Sequence, residues 1–181
     1  ISPAPTQETG DAPSASQKPK ATADSAAASD KMEDSYESTV AAEESETMQW
    51  PLEGQVLSSF SRDTLTYSQT MADWRTHEGL DIAAEADAPV MAAHSGTVTA
   101  VYEDDFLGSV VVVSHNDDCS TLYANLAKTP EVSVGDTVSA GDVIGHVGGT
   151  ALLETKEPDH LHFEVFNAGT PVDPMDYLPS A

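Results

Sequence analysis

From Met48 onward, short apolar and β-branched runs alternate with turn residues along the chain. Gly, Asn or Asp separates these runs at intervals of roughly eight to twelve residues, a spacing typical of antiparallel β-sandwiches and barrels. The pattern therefore predicts an all-β domain over residues 48–181. The runs that carry this prediction read "APVMAA", "GTVTAVYE", "GSVVVVSHNDD", "CSTLYANL", "GDTVSAGDVIGHVGG" and "HLHFEVFN".

Helix is scarce in this pattern. One or two helical turns are predicted around "SQTMADW", Ser68 to Trp74, because the segment begins with a Ser that can cap a helix. A second short turn is predicted at "DPMDYL", close to the C-terminus.

Residues 1–47 have a different composition, rich in Ala, Ser, Thr, Pro and Glu and almost without large apolar residues. Such a segment buries too little surface to offset its ordering entropy, so we expect a disordered acidic linker. Because the chain starts at Ile1 rather than Met, we expect it to be part of a longer protein. The linker would then separate the domain from a preceding membrane anchor, or serve solubility alone.

The formal net charge is −24, and only seven of the 181 residues are Lys or Arg. Nucleic acids and anionic membrane surfaces require clustered basic residues, so both are disfavoured as partners. No apolar run approaches the roughly 18 to 20 residues of a membrane span. The single Cys119 excludes an internal disulfide and a cysteine-based zinc cluster. A metal in this chain must therefore use His and carboxylate ligands.

The strand "DHLHFEVFN" contains two histidines separated by one residue. In an extended chain His160 and His162 share one face, while Leu161 and Phe163 point to the other face and into the core. The two imidazoles can converge on one ion or substrate, or they can be two exposed polar residues. Glu164 follows on the same face, where we expect a solvent-exposed side chain rather than one that orients an imidazole.

The loop "THEGLDIAA" supplies further candidate ligands. His77 and Asp81 would share a helix face, but Gly79 disfavours a helix, and in a straight strand they would lie about 13 Å apart. A bend at Glu78-Gly79 would bring them together. One imidazole and one carboxylate from this loop, with one imidazole from the His-x-His strand, would form a three-ligand site of the kind used by catalytic zinc.

Several separated motifs, in this order, resemble the LytM-type, or M23, zinc metallopeptidase domain. They cover residues 50–179 and read "THEGLDIAAEADAPVMAAHSGTV", "LYANL", "VSVGDTVSAGDVIGHVG", "HLHFEV" and "PVDPMDYL". The resemblance implies that His77, Asp81 and His162 bind zinc and that His160 acts in catalysis. It also implies a departure, since active members have a second catalytic histidine where this chain has Asn125. Asn cannot take up a proton near neutral pH, so we expect hydrolysis to be weak or absent.

The segment "WPLEGQVLSSFSRDTLTYSQTMADWRTHEGLDI" is similar to the stage II sporulation protein Q branch of this family. That similarity implies an extracytoplasmic, zinc-binding and catalytically degraded interaction module, anchored in the forespore membrane and facing the space between forespore and mother cell. Its implied partner is stage III sporulation protein AH. The alternative is an active zinc endopeptidase that cleaves cross-links of cell-wall peptidoglycan.

Two other interpretations follow from pattern alone. The "VSVGDTVSAGDVIGHVG" hairpin also resembles biotinyl and lipoyl carrier domains, but neither Lys128 nor Lys156 has the setting of a modified lysine. The second interpretation is a phosphocarrier domain that uses the paired histidines, but Asp81 would then have no functional role. The three remaining histidines, which lie beside turn residues, are expected to be structural, with a catalytic role at His115 as the alternative: His94, His115 and His146.

Overall fold

The computed structural model describes residues 47–116 and 118–180. The linker expected over residues 1–47 lies outside this range except for its last residue. In chain order the strands are β1 (Val56–Ser58), β2 (Ser61–Ser68), β3 (Asp73–His77), β4 (Leu80–Ala83), β5 (Pro89–Met91), β6 (Gly96–Asp104), β7 (Gly108–Ser114), β8 (Cys119–Leu126), β9 (Thr137–Val138), β10 (Val143–His146), β11 (His160–Asn167) and β12 (Thr170–Val172).

Eight strands form one sheet in the order β1-β4-β11-β8-β7-β6-β9, with β12 also paired to β11. Two-stranded sheets are formed by β5 with β10 and by β2 with β3. Every strand pair in the described residues is antiparallel. The all-β antiparallel prediction is therefore confirmed.

The core lies on one face of the large sheet, where Leu161 and Phe163 of β11 are fully buried. Val90 of β5 and Ile144 of β10 belong to the same cluster, so the small β5–β10 sheet covers this face. Tyr123 of β8 packs on Phe163 with ring centroids 5.3 Å apart. The predicted alternation along β11 is confirmed, because its odd positions fill the core and its histidines occupy the opposite face.

The helical turn predicted for Ser68 to Trp74 is wrong. Ser68 ends β2, Asp73 begins β3, and the residues between them form the turn of a β-hairpin. The Ser68 hydroxyl does accept a hydrogen bond from the Met71 amide, as a cap would, but Ala72 has φ 57° and returns the chain antiparallel. A capping residue is equally suited to a tight turn, which is why the local signal misled.

Two 3-10 turns complete the domain, at Leu152–Glu154 and Pro174–Asp176. The second confirms the turn predicted at "DPMDYL". Its start is stabilised by Asp173, whose side chain accepts a hydrogen bond from the Met175 amide. None of the helices in the described residues is long and apolar enough to cross a membrane.

Candidate metal site

Strand register brings two of the predicted ligands face to face. In the antiparallel pair of β4 and β11, Asp81 lies directly opposite His162. Leu80 and Ile82 point into the core on either side of Asp81, so the carboxylate must occupy the other face, where the histidines of β11 lie. Asp81 and His162 are buried there with 1% and 3% of their surface exposed.

His77 reaches the same place through the bend at Glu78-Gly79 that separates β3 from β4. The bend depends on glycine, since a Cβ atom at Gly79 would lie 2.7 Å from Cε1 of His162 and 2.9 Å from the Phe163 carbonyl oxygen. Both contacts are closer than real Cβ atoms approach. The absent side chain therefore creates the space in which the His162 ring sits.

The ligand atoms of three side chains converge as a result. Nδ1 of His162 lies 2.8 Å from Oδ1 of Asp81, and Nε2 of His77 lies 3.2 Å from Oδ2 of Asp81. The two imidazole nitrogens are 3.4 Å apart. The structure thus brings together His77, Asp81 and His162, the three residues that the family resemblance implies as ligands.

The second nitrogen of each imidazole has its own partner. Nε2 of His162 lies 2.9 Å from Oε1 of Glu164, and Nδ1 of His77 lies 3.1 Å from the Ser59 carbonyl oxygen. Such partners fix the ring orientation of metal-binding histidines. The expectation of an exposed Glu164 that orients no imidazole is wrong: the residue is 7% exposed, and its carboxylate contacts the buried His162 ring.

Electrostatics concentrate negative charge at this site. Burial opposes ionisation of Asp81, but its hydrogen bonds with His162 and His77 outweigh burial and lower the pKa of the carboxyl group. Burial likewise opposes charging of His162, yet Asp81 and Glu164 raise its pKa well above the ordinary value. The carboxylates therefore favour a cation between them, whether a proton on an imidazole or a metal ion.

Glu154 is a fourth residue at this site, and it is not among the residues predicted from the sequence. Its carboxylate supplies an atom within 4.8 Å of the donor atoms of His77, Asp81 and His162. It lies on the Leu152–Glu154 turn, in a segment without strand or helix periodicity. Only its acidic character, six residues before the His-x-His pair, could have signalled a role.

His160 lies beside the convergent donors. Its Nε2 is 3.0 Å from Oε2 of Glu154, and its Nδ1 is 2.7 Å from the Pro158 carbonyl oxygen. Burial disfavours its charged form, but these two partners, Glu154 foremost, raise the pKa of His160 to about 9. The imidazole is therefore held between two acceptors rather than left free.

Asn125 has a structural position. Its amide nitrogen donates to the His160 carbonyl oxygen at 3.0 Å, and its Oδ1 accepts from the amides of Thr150 and Ala151, both at 2.9 Å. Its φ of 59° is in the left-handed region, which Asn tolerates better than most residues. Both ends of the side chain are thus bonded to backbone groups.

The other histidines lie outside the convergent group. His115 contacts the Ser95 carbonyl oxygen and the Thr121 hydroxyl, both at 2.9 Å, rather than the donors of the site. Its ring packs edge-on against His94, and His146 pairs with Glu131.

A cleft of about 370 Å³ opens over the site. The β2–β3 hairpin contributes Tyr67 and Arg75 to one wall, and Phe106 and Leu153 line another part. His77, Asp81 and His162 lie on the cleft lining, so a ligand in the cleft would contact them.

The donor set suits zinc, which binds imidazole nitrogen and carboxylate oxygen in tetrahedral sites. Gly79 leaves space for the second ring, and Glu164 and Ser59 orient both imidazoles, so the residues present fit a zinc ion. Two histidines and an aspartate that converge on one face of an antiparallel β-domain are the ligand set expected of a zinc-peptidase-like domain.

The chain belongs to peptidase family M23, whose profile matches residues 75–174. Stage II sporulation protein Q of Bacillus subtilis (strain 168) is 32% identical over 145 residues, which cover 79% of this chain and 44% of that protein. The first two curated relatives are matched over 39% and 44% of their length, so the chain spans about two-fifths of them.

Two solved structures share this fold. A zinc-containing peptidase from Vibrio cholerae has a TM-score of 0.64 and 30% identity, covering 73% of this chain and 40% of that one. The pore-forming complex of SpoIIQ, stage II sporulation protein Q, with SpoIIIAH gives a TM-score of 0.63 and 29% identity, covering 73% of this chain and 90% of that one. The family prediction and the similarity to stage II sporulation protein Q are confirmed.

Proposed function

We propose that this chain is a zinc-binding M23 domain that works by binding a protein partner and has little or no peptidase activity. The observation that carries the proposal is the bonding of Asn125, whose side-chain amide donates one hydrogen bond and accepts two, all with backbone groups. The family resemblance implies that active members have a titrating histidine at this position. This chain therefore lacks a second group that could transfer a proton there.

His77, Asp81 and His162 would hold the zinc ion, through Nε2, a carboxylate oxygen and Nδ1 respectively. Support comes from the short distances between these atoms and from the partners that fix both rings. When bound, zinc would polarise a carbonyl group and lower the pKa of a water molecule.

His160 would be the one remaining imidazole available for proton transfer. Its ring nitrogens already contact Glu154 and the Pro158 carbonyl oxygen, so its action on a substrate would require Glu154 to move away. Losing one proton-transfer group costs on the order of a hundredfold to ten-thousandfold in rate. Weak or absent hydrolysis follows.

The partner we propose is a protein of the stage III sporulation protein AH type. The similarity to stage II sporulation protein Q, and to its structure in complex with SpoIIIAH, supports this choice. The domain would then act outside the cytoplasm, held by an anchor that precedes Ile1 in the forespore membrane. The formal charge of −24 is compatible with a protein partner and unfavourable to a nucleic acid.

One experiment tests the two halves of this proposal together. The zinc-loaded chain is incubated with purified peptidoglycan, and released muropeptides are separated by chromatography. The same preparation is titrated with the extracytoplasmic domain of stage III sporulation protein AH from the source organism. We expect no muropeptide release and saturable binding. Cleavage that disappears in His160→Ala would show instead that the chain is an enzyme.

The second candidate is an active zinc endopeptidase that cleaves peptidoglycan cross-links. The convergence of His77, Asp81 and His162 under an open cleft favours it, as does the similarity to a zinc-containing peptidase. The muropeptide assay separates the two candidates directly.

A further inference from the structure

We propose that Glu154 is a fourth protein ligand, which closes the metal site and makes it structural. This inference rests on the proposed zinc site and goes beyond it, since catalytic zinc sites keep one position open whereas structural sites have four protein ligands. No feature of the sequence assigned a role to Glu154.

Distances between donor atoms support a four-ligand arrangement. Oε1 of Glu154 lies 3.5 Å from Nδ1 of His162, Nε2 of His77 lies 3.4 Å from the same atom, and Nε2 of His77 lies 3.2 Å from Oδ2 of Asp81. At bond lengths of about 2.0 to 2.2 Å, the ligand atoms of a tetrahedral zinc site lie about 3.3 to 3.6 Å apart. Oε1 of Glu154 thus stands at ligand spacing from Nδ1 of His162, and its carboxylate lies within 4.8 Å of the ligand atoms of His77 and Asp81.

The loop that carries Glu154 is anchored at its start. The amides of Thr150 and Ala151 donate to Oδ1 of Asn125, and the Thr150 hydroxyl donates to the Leu126 carbonyl oxygen at 2.8 Å. The Leu153 amide donates to the Phe106 carbonyl oxygen at 3.2 Å. Asn125 therefore acts as a positioning residue for the turn that places Glu154 in the site.

The end of the same loop is also tied down. The Lys156 amide donates to the Thr70 hydroxyl, and Nζ of Lys156 donates to the Gln69 carbonyl oxygen, both at 3.1 Å. The Glu154 side chain is only 10% exposed. A buried carboxylate on a loop held at both ends is preorganised, which favours metal binding over a freely moving side chain.

One carboxylate would then serve two purposes. Its Oε1 would complete the metal site, while its Oε2 contacts Nε2 of His160 at 3.0 Å. The position that a reacting water molecule needs and the imidazole that would accept its proton are both taken by Glu154. This accounts for a domain that keeps its metal ligands without hydrolysing a substrate.

The test uses the full chain and two variants, Glu154→Ala and Glu154→Gln, with Glu103→Ala as a matched control that removes an exposed carboxylate from β6. Zinc affinity is measured by competition with a chelating dye. The Co²⁺-loaded forms are titrated with acetohydroxamate, and the visible spectrum is recorded. Circular dichroism checks that each variant is folded. Glu154→Gln preserves the side-chain volume, so the test can still be made if Glu154→Ala does not fold.

We expect zinc affinity to fall by about tenfold or more in both Glu154 variants and to stay unchanged in the control. Acetohydroxamate should change the Co²⁺ spectrum of the variants but not that of the natural sequence, because only the variants have an open position. Equal affinity and an equal spectral response in all forms would overturn the inference. Loss of zinc in His77→Ala without an effect at Glu154 would refute only this inference, whereas cleavage by the natural sequence would refute the proposed function.

Discussion

Asp81 and His162 are direct partners across two antiparallel strands, with Oδ1 and Nδ1 2.8 Å apart. Their positions along the chain differ by 81 residues, yet the sheet register alone sets their separation. Because both strands are held in register by buried neighbours on the core face, Leu80 with Phe163 and Ile82 with Leu161, a slip of one residue would expose the core and separate the pair. This pair is therefore as rigid as the sheet that carries it.

Replacing His77 by Ala should remove the bound metal. The purified natural chain should contain about one equivalent of zinc, and the variant much less, because one of the convergent donors is lost. Its thermal midpoint should also fall, since a ligand that binds only the folded state stabilises it. Metal content is measured by atomic emission and the midpoint by calorimetry. His146→Ala, a change outside the convergent group, is the control, and unaltered zinc in His77→Ala would reject the site.

Gly79→Ala should damage the site without removing any donor. The new methyl group would meet Cε1 of His162 at 2.7 Å and the Phe163 carbonyl oxygen at 2.9 Å, and the carbonyl belongs to a central strand that cannot move aside. We expect the free energy of unfolding to fall by about 1 to 3 kcal/mol, with weaker zinc binding.

Urea denaturation of the metal-free protein measures the change in the free energy of unfolding of Gly79→Ala. Competition with a chelating dye measures its zinc affinity. Gly149→Ala is the matched control, since a Cβ atom there meets nothing within 4 Å. Equal unfolding free energies and equal zinc affinities of the two alanine variants would mean that the close approach between Gly79 and His162 contributes nothing to stability or binding.

Asn125→His should not restore cleavage on its own. The substitution removes the acceptor for the amides of Thr150 and Ala151 and places an imidazole at a left-handed φ of 59°. We expect a loss of stability of about 1 to 3 kcal/mol, because buried amides would remain unpaired. Any cleavage should require the further change Glu154→Ala, which frees His160.

The Asn125 series is assayed by urea denaturation and by muropeptide release from peptidoglycan. Asn125→Asp is an informative companion, because it retains an oxygen acceptor for Thr150 and Ala151 but loses the donor to the His160 carbonyl oxygen. An Asn125→His single variant with natural stability and measurable cleavage would contradict the role assigned to Asn125.

His115 should make the fold less stable in acid. Burial, opposed by the Ser95 carbonyl oxygen and assisted by the neighbouring His94, lowers the pKa of His115 from its ordinary value of 6.5. A histidine whose pKa is lower in the folded than in the unfolded state contributes stability above pH 6.5. This stability is lost as the pH falls through the unfolded-state pKa and then the folded-state pKa, because the unfolded chain takes up the proton first.

The natural chain should therefore lose more stability than His115→Gln between about pH 8 and about pH 5.5. Zinc-loaded protein is used for this comparison, so that the histidines of the metal site do not titrate. Chemical denaturation at each pH gives the free energy of unfolding, and His146→Gln serves as the control. Parallel pH curves for the natural chain and His115→Gln would contradict the assignment.

The strands and the bend before Asp81 could be predicted because they depend on local patterns. Alternation around His160 and His162 assigned their common face, and Gly79 indicated the bend that brings His77 to Asp81. The pairing of β4 with β11 is a long-range contact that periodicity does not encode, and only the family resemblance chose His162 over His160.

The residues that escaped prediction depend on tertiary contacts. Glu164 is buried beside the His162 ring, a contact that the strand pattern does not reveal, and Glu154 reaches the site on a turn that is anchored by Asn125. At Ser68 the hydroxyl bond was anticipated but not the hairpin, since local capping cannot distinguish a helix start from a reversal of the chain. Asn125 was identified by what it replaces, whereas its actual partners are backbone groups distant in sequence.

The β2–β3 hairpin pairs with no other strand of the described residues, and its base is closed by the pair of Ser61 and His77. Its amide protons should thus exchange with deuterium through local fraying, far sooner than those of the central strand β11, which open only when the whole domain unfolds. A metal ion held by His77 would fasten the base of the hairpin to the sheet. Slower deuterium uptake along β2 and β3 would then report occupancy of the site from one wall of the cleft, even where no reaction takes place.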